Sequence, residues 1–241
     1  MKIGVVIPAR YNSTRFPGKP LADICGKPMI QHVYERAGLA DRVTQVLVAT
    51  DDERVYETVS SFGGSVVMTS ADISSGTDRV RCAVERRDWD IVINVQGDEP
   101  LIIPGLIDTV ASVFEVGEAV IATVASENSS WDDFQDSNVV KVVRDLSGNA
   151  LYFSRSPIPF MEKASFRGFL RHVGIYGFRR DTLLEMGALR PSQIEKMESL
   201  EQLRWMDYGY DIKVLKVEYQ PIGVDTPRDL DRVRVIMSRE G

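Results

Sequence analysis

The chain has 241 residues, of which 44% are apolar and 27% charged, with 18 glycines and 11 prolines; it is long enough to bury its own core as one globular domain with a modest insertion. Its 29 basic and 35 acidic side chains leave a formal charge of -6, which argues against a protein that coats nucleic acid by bulk electrostatics. Cys25 and Cys82, without Cys-x-x-Cys spacing, stand beside just His32 and His172, which argues against a disulfide framework or a Cys/His zinc cluster and leaves oxygen ligands for any metal.

The N-terminus opens into the apolar run Ile3–Ala9 without a cleavable leader pattern, and no run of 18 apolar residues follows. A cytoplasmic chain with no membrane partner is therefore expected. Further β-branched runs at Gln45–Thr50, Ser65–Thr69 and Asp90–Gln96 alternate with helical spacing at Pro28–Ala40, Asp52–Phe62 and Ser75–Arg87. Pro28 suits the first position of its helix, and Ser75, with Asp78 three residues on, suits an N-cap. The near-continuous apolar run Ile91–Val95 has the character of a strand covered on both faces, so the first half is predicted to be doubly wound α/β around a mostly parallel sheet. Past residue 119 the rhythm changes. Ala119–Ala125, Val139–Arg144, Ala150–Arg155 and Leu170–Arg179 read as strands with little helix between them, predicting a smaller mixed or antiparallel layer inserted at about 119–190 within a single domain spanning 1–241. Helical spacing returns at Gln193–Tyr208, and Ile212–Val217 reads as one more strand. Thr226-Pro227-Arg228-Asp229 then opens a final helix, with Thr226 as its cap and Pro227 in the first turn.

The loop after the first strand carries Arg10, Arg15 and Lys19 within ten residues. In an open parallel sheet ligands sit outside the carboxyl ends of the strands, where such cations suit phosphates; residue type alone leaves a solvated surface loop equally open. Pro20 after Lys19 rules out a P-loop. Asp98, just past the buried strand in Gln96-Gly97-Asp98-Glu99-Pro100, and Asp225, ahead of the last helix, are the candidate metal carboxylates, each also readable as a turn residue. Asp51 and Asp52 read as turn and helix-start residues. Gly76 at a helix N-terminus would let a base approach the backbone. Alternation in Leu170–Tyr176 places His172, Gly174 and Tyr176 on one face with a hollow at the glycine, the outer two about 13 Å apart at their Cα atoms.

The string Pro8-Ala9-Arg10, Ser13-Thr14-Arg15 and Pro17-Gly18-Lys19-Pro20-Leu21 resembles the signature loop of sugar-nucleotide cytidylyltransferases. Nearly the whole chain is similar to the 3-deoxy-manno-octulosonate cytidylyltransferase family. The likeness runs through Ala49-Thr50-Asp51, Ser75-Gly76-Thr77-Asp78-Arg79, Asn94–Pro100, Ala150–Arg155, His172–Gly177, Leu200–Arg204 and Gly223–Pro227. It implies a nucleotidyltransferase-type fold and transfer of CMP from CTP to the anomeric hydroxyl of 3-deoxy-D-manno-octulosonate (Kdo), with release of pyrophosphate, for lipopolysaccharide synthesis. It further implies Mg²⁺ on Asp98 and Asp225, with Arg10 and Lys19 as catalytic cations. Ala9, Arg10, Arg15, Lys19, Ser75, Gly76 and Arg79 would hold the nucleotide. Gln96, Arg155, His172, Tyr176, Glu201 and Gln202 would line the sugar-acid pocket, in a homodimer. A cytidylyltransferase for a related sugar acid, 8-amino-Kdo or a sialic acid, and a nucleotide-sugar-dependent glycosyltransferase are the competing readings.

Overall fold

The computed structural model describes residues 1–12, 16–73, 75–117 and 119–239. From the N-terminus come β1 (Ile3–Ala9), β2 (Asp23–Ile24), β3 (Lys27–Pro28), α1 (Met29–Gly38), β4 (Gln45–Thr50), α2 (Glu53–Ser61), β5 (Val66–Met68), α3 (Gly76–Val84), β6 (Ile91–Asn94) and α4 (Pro104–Val116). Then follow β7 (Ile121–Asn128), α5 (Trp131–Gln135), β8 (Lys141–Arg144), β9 (Ala150–Ser154) and β10 (Phe169–Arg179). The chain closes with α6 (Arg180–Glu185), α7 (Gln193–Glu198), α8 (Gln202–Asp207), β11 (Ile212–Val217) and α9 (Pro227–Met237). These elements form two units, residues 1–111 with 221–241, and residues 112–220.

In the first unit four strands lie parallel in the order β6-β1-β4-β5. Val5, Val6 and Ile7 of β1 and all of Ile91–Ile93 are wholly buried, as strands with both faces covered must be. Gly4 is required by Trp89: a Cβ there would lie 2.0 Å from the indole ring. The helices start where the side chains allow. Asp52 caps α2 by accepting from the Arg54 amide, Ser75 caps α3 by accepting from Asp78, and Thr226 with Asp229 forms a capping box ahead of Pro227 in α9. Pro28 stands one residue ahead of α1, with ψ at 145°, and the helix begins at Met29. Through Leu230 and Val233, α9 packs against Ile24, Met29 and Val224, so the C-terminal segment completes this unit's core.

The second unit is built on β7, which pairs in parallel with β11 and antiparallel with β10; β10 pairs antiparallel with β8, and β8 with β9. Its mixed character matches the predicted layer. Its extent is greater than 119–190, because the pairing of Ile212–Val217 with Ile121–Ser126 brings the segment up to Gln220 into the same unit. An aromatic cluster of Trp131, Phe134, Phe166 and Phe169, with centroids 5.2 to 5.6 Å apart, fastens α5. The helix predicted over Gln193–Tyr208 is two helices. Ser199 takes a left-handed conformation at φ 53° and ends α7, and α8 starts three residues later.

Candidate active site

The carboxyl ends of β1 and β6 open onto a cavity of about 430 Å³ lined by Pro8, Ala9, Arg10, Asn12, Lys19, Pro20, Gly76, Gln96, Gly97, Asp98 and Asp225. This is where a parallel sheet places its ligands, and main-chain constraints account for how each wall gets there. After β1 the chain turns back on itself through the Gly18 amide, which donates to the Tyr11 carbonyl at 2.8 Å, and Gly18 adopts φ 74°, a conformation glycine takes readily. A short 3₁₀ turn, Lys19–Leu21, then seats Pro20 in the interior and aims Lys19 at the cavity. After β6, Gly97 passes so close to β1 that a Cβ would lie 2.9 Å from the Pro8 carbonyl oxygen. The peptide of the next residue, Asp98, accepts a hydrogen bond from the Val224 amide at 2.8 Å, which draws the segment carrying Asp225 alongside.

The two acids, 127 positions apart in sequence, therefore meet. Lys19 Nζ donates to Asp98 Oδ2 at 2.7 Å and lies 3.5 Å from Asp225 Oδ1. Side-chain exposures of 13%, 33% and 51% for Lys19, Asp98 and Asp225 leave the ammonium sheltered and both carboxylates accessible. Two accessible carboxylates over a cationic loop suit magnesium, a hard cation usually held by one or two carboxylates with the remaining positions left to water and phosphate oxygens. No group of three or more His, Cys, Asp or Glu able to hold a metal ion occurs among the described residues, so a metal here would depend on substrate oxygens as well.

Ala9, Arg10, Gly76 and Gln96 line the same cavity. Ser75 is committed to capping α3, accepting from the Asp78 amide at 3.0 Å and donating to the Asp78 carboxylate at 2.8 Å. Arg15 lies outside the described residues. Arg79 is not among the residues that line this cavity. Its guanidinium is wholly buried, pairs with Asp51 Oδ2 at 2.6 Å, donates to the Thr69 hydroxyl and reaches the Ile73 carbonyl at 3.4 Å. Burial lowers its pKa, the Asp51 charge opposes that shift and the Arg10 charge adds to it. Arg10 donates to the same Ile73 carbonyl, so Arg79, held by Asp51, shares the acceptor on which Arg10 rests. A separation of 28 residues hides the Asp51–Arg79 pair from sequence reasoning.

Five of the sugar-pocket candidates lie in the second unit, and His172 and Tyr176 have a geometry other than the one alternation predicts. Between Val173 and Tyr176 strand β10 advances three residues while β7 advances one. Two residues are looped out, and Tyr176 takes the position expected of Gly174. The His172 and Tyr176 rings consequently touch, with centroids 5.3 Å apart, and no hollow separates them. The Thr123 hydroxyl donates to the Ile175 carbonyl at 2.7 Å and pins the bulge, while His172 Nε2 lies 3.1 Å from the same hydroxyl. With the Thr123 proton engaged, Nε2 carries the imidazole proton and donates. Burial, with Phe153 packed edge-on at 5.0 Å, pushes the His172 pKa down to about 3.

Burial raises the Tyr176 pKa well above its usual value, with a further push from the Glu201 charge. The Tyr176 hydroxyl and Gln202 Nε2 are both buried without a hydrogen-bonding partner. Arg155, predicted as a fork for a carboxylate, has its donors on main-chain carbonyls: Nε on Glu198 and one terminal nitrogen on Ser137, both at 2.9 Å. Sequence reasoning also missed Lys141. Its buried ammonium donates to the carbonyls of Asp136, Val139 and Arg155 at 2.6 to 2.7 Å, and no residue spacing signals that.

Residues 4–213 match the family model described as Cytidylyltransferase. The chain is 51% identical to a 3-deoxy-manno-octulosonate cytidylyltransferase of Geobacter metallireducens, over 99% of both chains, and 50% identical to that of Geotalea uraniireducens, over 97% and 98%. Among solved structures it superimposes with a TM-score of 0.95, at 47% identity and full coverage of both chains, on a CMP:2-keto-3-deoxy-manno-octonic acid synthetase complexed with CTP. A cytidylyltransferase from Leptospira borgpetersenii, at 19% identity and a TM-score of 0.66, shares the fold. With its acid pair gathered over a cationic turn at the carboxyl ends of β1 and β6, the chain belongs to the 3-deoxy-manno-octulosonate cytidylyltransferase family.

Proposed function

We propose that the chain transfers CMP from CTP to the anomeric hydroxyl of Kdo and releases pyrophosphate, as a soluble homodimer of the bacterial cytoplasm that activates this sugar for lipopolysaccharide. The observation that carries this reading is the meeting of Asp98, Asp225 and Lys19 on one cavity. The sugar hydroxyl forms a bond to the α-phosphorus as the bond to the departing pyrophosphate breaks, in line, without an enzyme nucleophile. Arg10 and Lys19 offset the negative charge gathering on the leaving group. Asp98 and Asp225 would hold Mg²⁺, which supplies charge neutralisation to the phosphates and acidity to the attacking hydroxyl. Ala9, Ser75 and Gly76 border the cytosine. In the second unit His172, Tyr176, Glu201 and Gln202 orient the sugar acid, and the unpartnered Tyr176 hydroxyl and Gln202 amide are groups a polyhydroxylated ligand would satisfy.

The test is a pyrophosphate-release assay with CTP, ATP, GTP and UTP crossed against Kdo, its 8-amino analogue and a sialic acid. Turnover with CTP and Kdo above every other pair is expected. A preference for another sugar acid would move the reading within the family, and absence of pyrophosphate in all arms would overturn it. Asp98→Ala should lower turnover by about 10³-fold or more, with circular dichroism unchanged; release at the parent rate would remove Asp98 from the mechanism.

A further inference from the structure

Two carboxylates and one ammonium share a small volume over β1 and β6. Lys19 Nζ lies 2.7 Å from Asp98 and 3.5 Å from Asp225, and the lysine is the most sheltered of the three side chains. All three are held by main chain. The Gly18 carbonyl accepts from Leu21 at 2.9 Å and the Lys19 carbonyl from Ala22 at 3.1 Å, which fixes the turn, and the Val224 amide on the Asp98 carbonyl fixes the acids relative to each other. The oxygens that would bind a divalent cation are thus the ones on which the ammonium already rests. An ammonium at hydrogen-bond distance and a metal ion on the same oxygens exclude each other through like charge and overlap.

We propose that Lys19 is the resident counter-cation of the Asp98–Asp225 pair and competes with the divalent cation for it. In the nucleotide-free protein the lysine satisfies the acids and metal binds weakly. Phosphates entering beside Arg10 offer the ammonium a stronger anion, Lys19 moves onto them, and the acids are exposed to the ion. Nucleotide and metal binding are therefore coupled through one side chain, and the coupling acts equally in both directions. The same lysine then stands on the phosphates where charge accumulates, so the competition and the catalytic role belong to two positions of one group. The inference rests on the reading of Asp98 and Asp225 as the metal carboxylates.

The experiment is a Mn²⁺ titration of the nucleotide-free protein, followed by water-proton relaxation, for the parent, Lys19→Met, Lys19→Arg and the double variant Lys19→Met/Asp98→Asn, with folding checked by circular dichroism. Removing the ammonium should tighten Mn²⁺ binding about tenfold or more, because the Lys19 charge no longer occupies the Asp98 oxygens. Lys19→Arg should bind no more tightly than the parent, and the double variant should lose the gain. Binding by Lys19→Met no tighter than the parent, or a gain that survives Asp98→Asn, overturns the competition. If Lys19→Met does not fold, Lys19→Gln carries the same expectation. A parent that takes up Mn²⁺ neither alone nor with CTP removes the metal reading itself, which the difference between parent and variant leaves untouched.

Discussion

The two units meet their polar groups in opposite ways. In the first, the cavity at the ends of β1 and β6 holds full charges paired with one another, two accessible carboxylates, Asp98 and Asp225, against the sheltered Lys19 ammonium. In the second, neutral groups are buried and partly unpaired: the His172 imidazole with its pKa near 3 beside the Tyr176 phenol, and the Gln202 amide. Charge in an accessible cavity can be satisfied from within until an anion and a cation arrive together. Buried hydrogen-bonding groups have no such substitute, and leaving each one unmade costs about 1–3 kcal/mol. Under the proposed function a triphosphate would answer the first arrangement and a polyhydroxylated sugar the second.

The sharpest way to break this contrast is to leave a buried charge in the first unit without its partner. Asp51→Ala strands the wholly buried Arg79 and should lower stability by about 3–5 kcal/mol in urea unfolding. A loss below about 1 kcal/mol would mean that charges in this unit find other partners readily. Arg10 should also loosen, because it rests on the Ile73 carbonyl that Arg79 shares.

A second measurement concerns His172, whose pKa falls from 6.5 in the unfolded chain to about 3 in the fold. The fold favours the neutral ring, so this contribution is complete above pH 6.5 and is lost as pH drops from there toward 3. Relative to His172→Phe, the parent should lose up to about 1.4 kcal/mol per pH unit across that window. Parallel stability curves for the two proteins would show that the ring is not held neutral. The smallest expected effect belongs to Tyr176→Phe. Deleting a hydroxyl that has no partner should leave stability within about 1 kcal/mol of the parent, or raise it, while the KM for Kdo rises and that for CTP does not. A variant destabilised by several kcal/mol with both KM values unchanged would assign the hydroxyl to structure alone.

Sequence periodicity located the scaffold well where apolar runs were continuous, as in β1, β4 and β11, whose limits coincide with Ile3–Ala9, Gln45–Thr50 and Ile212–Val217. Side-chain chemistry located the caps at Ser75 and Thr226, and the helix start at Asp52, for the same reason: each is a local event. Helix α4 passed unread although its buried residues Leu106, Ile107, Val110, Ala111 and Phe114 carry helical spacing behind Pro104. The break at Ser199 and the bulge at Val173–Tyr176 follow from tertiary packing, and a run of periodic residues does not encode them. In the candidate site, motif and strand-end position were enough to nominate Arg10, Lys19, Asp98 and Asp225. What each side chain is bonded to was not legible, since Arg79 with Asp51, Arg155 with the Glu198 carbonyl and Lys19 with both acids are contacts between segments remote in sequence.

The hydrogen bond from the Val224 amide to the Asp98 carbonyl ties residues 221–241 to the cavity as well as to the core of the first unit. Removing residues 221–241 would leave β1, β4, β5 and β6 encoded but would take away Asp225 together with the core contacts of Val224, Leu230 and Val233, so the acid pair and the packing beneath it would be lost together.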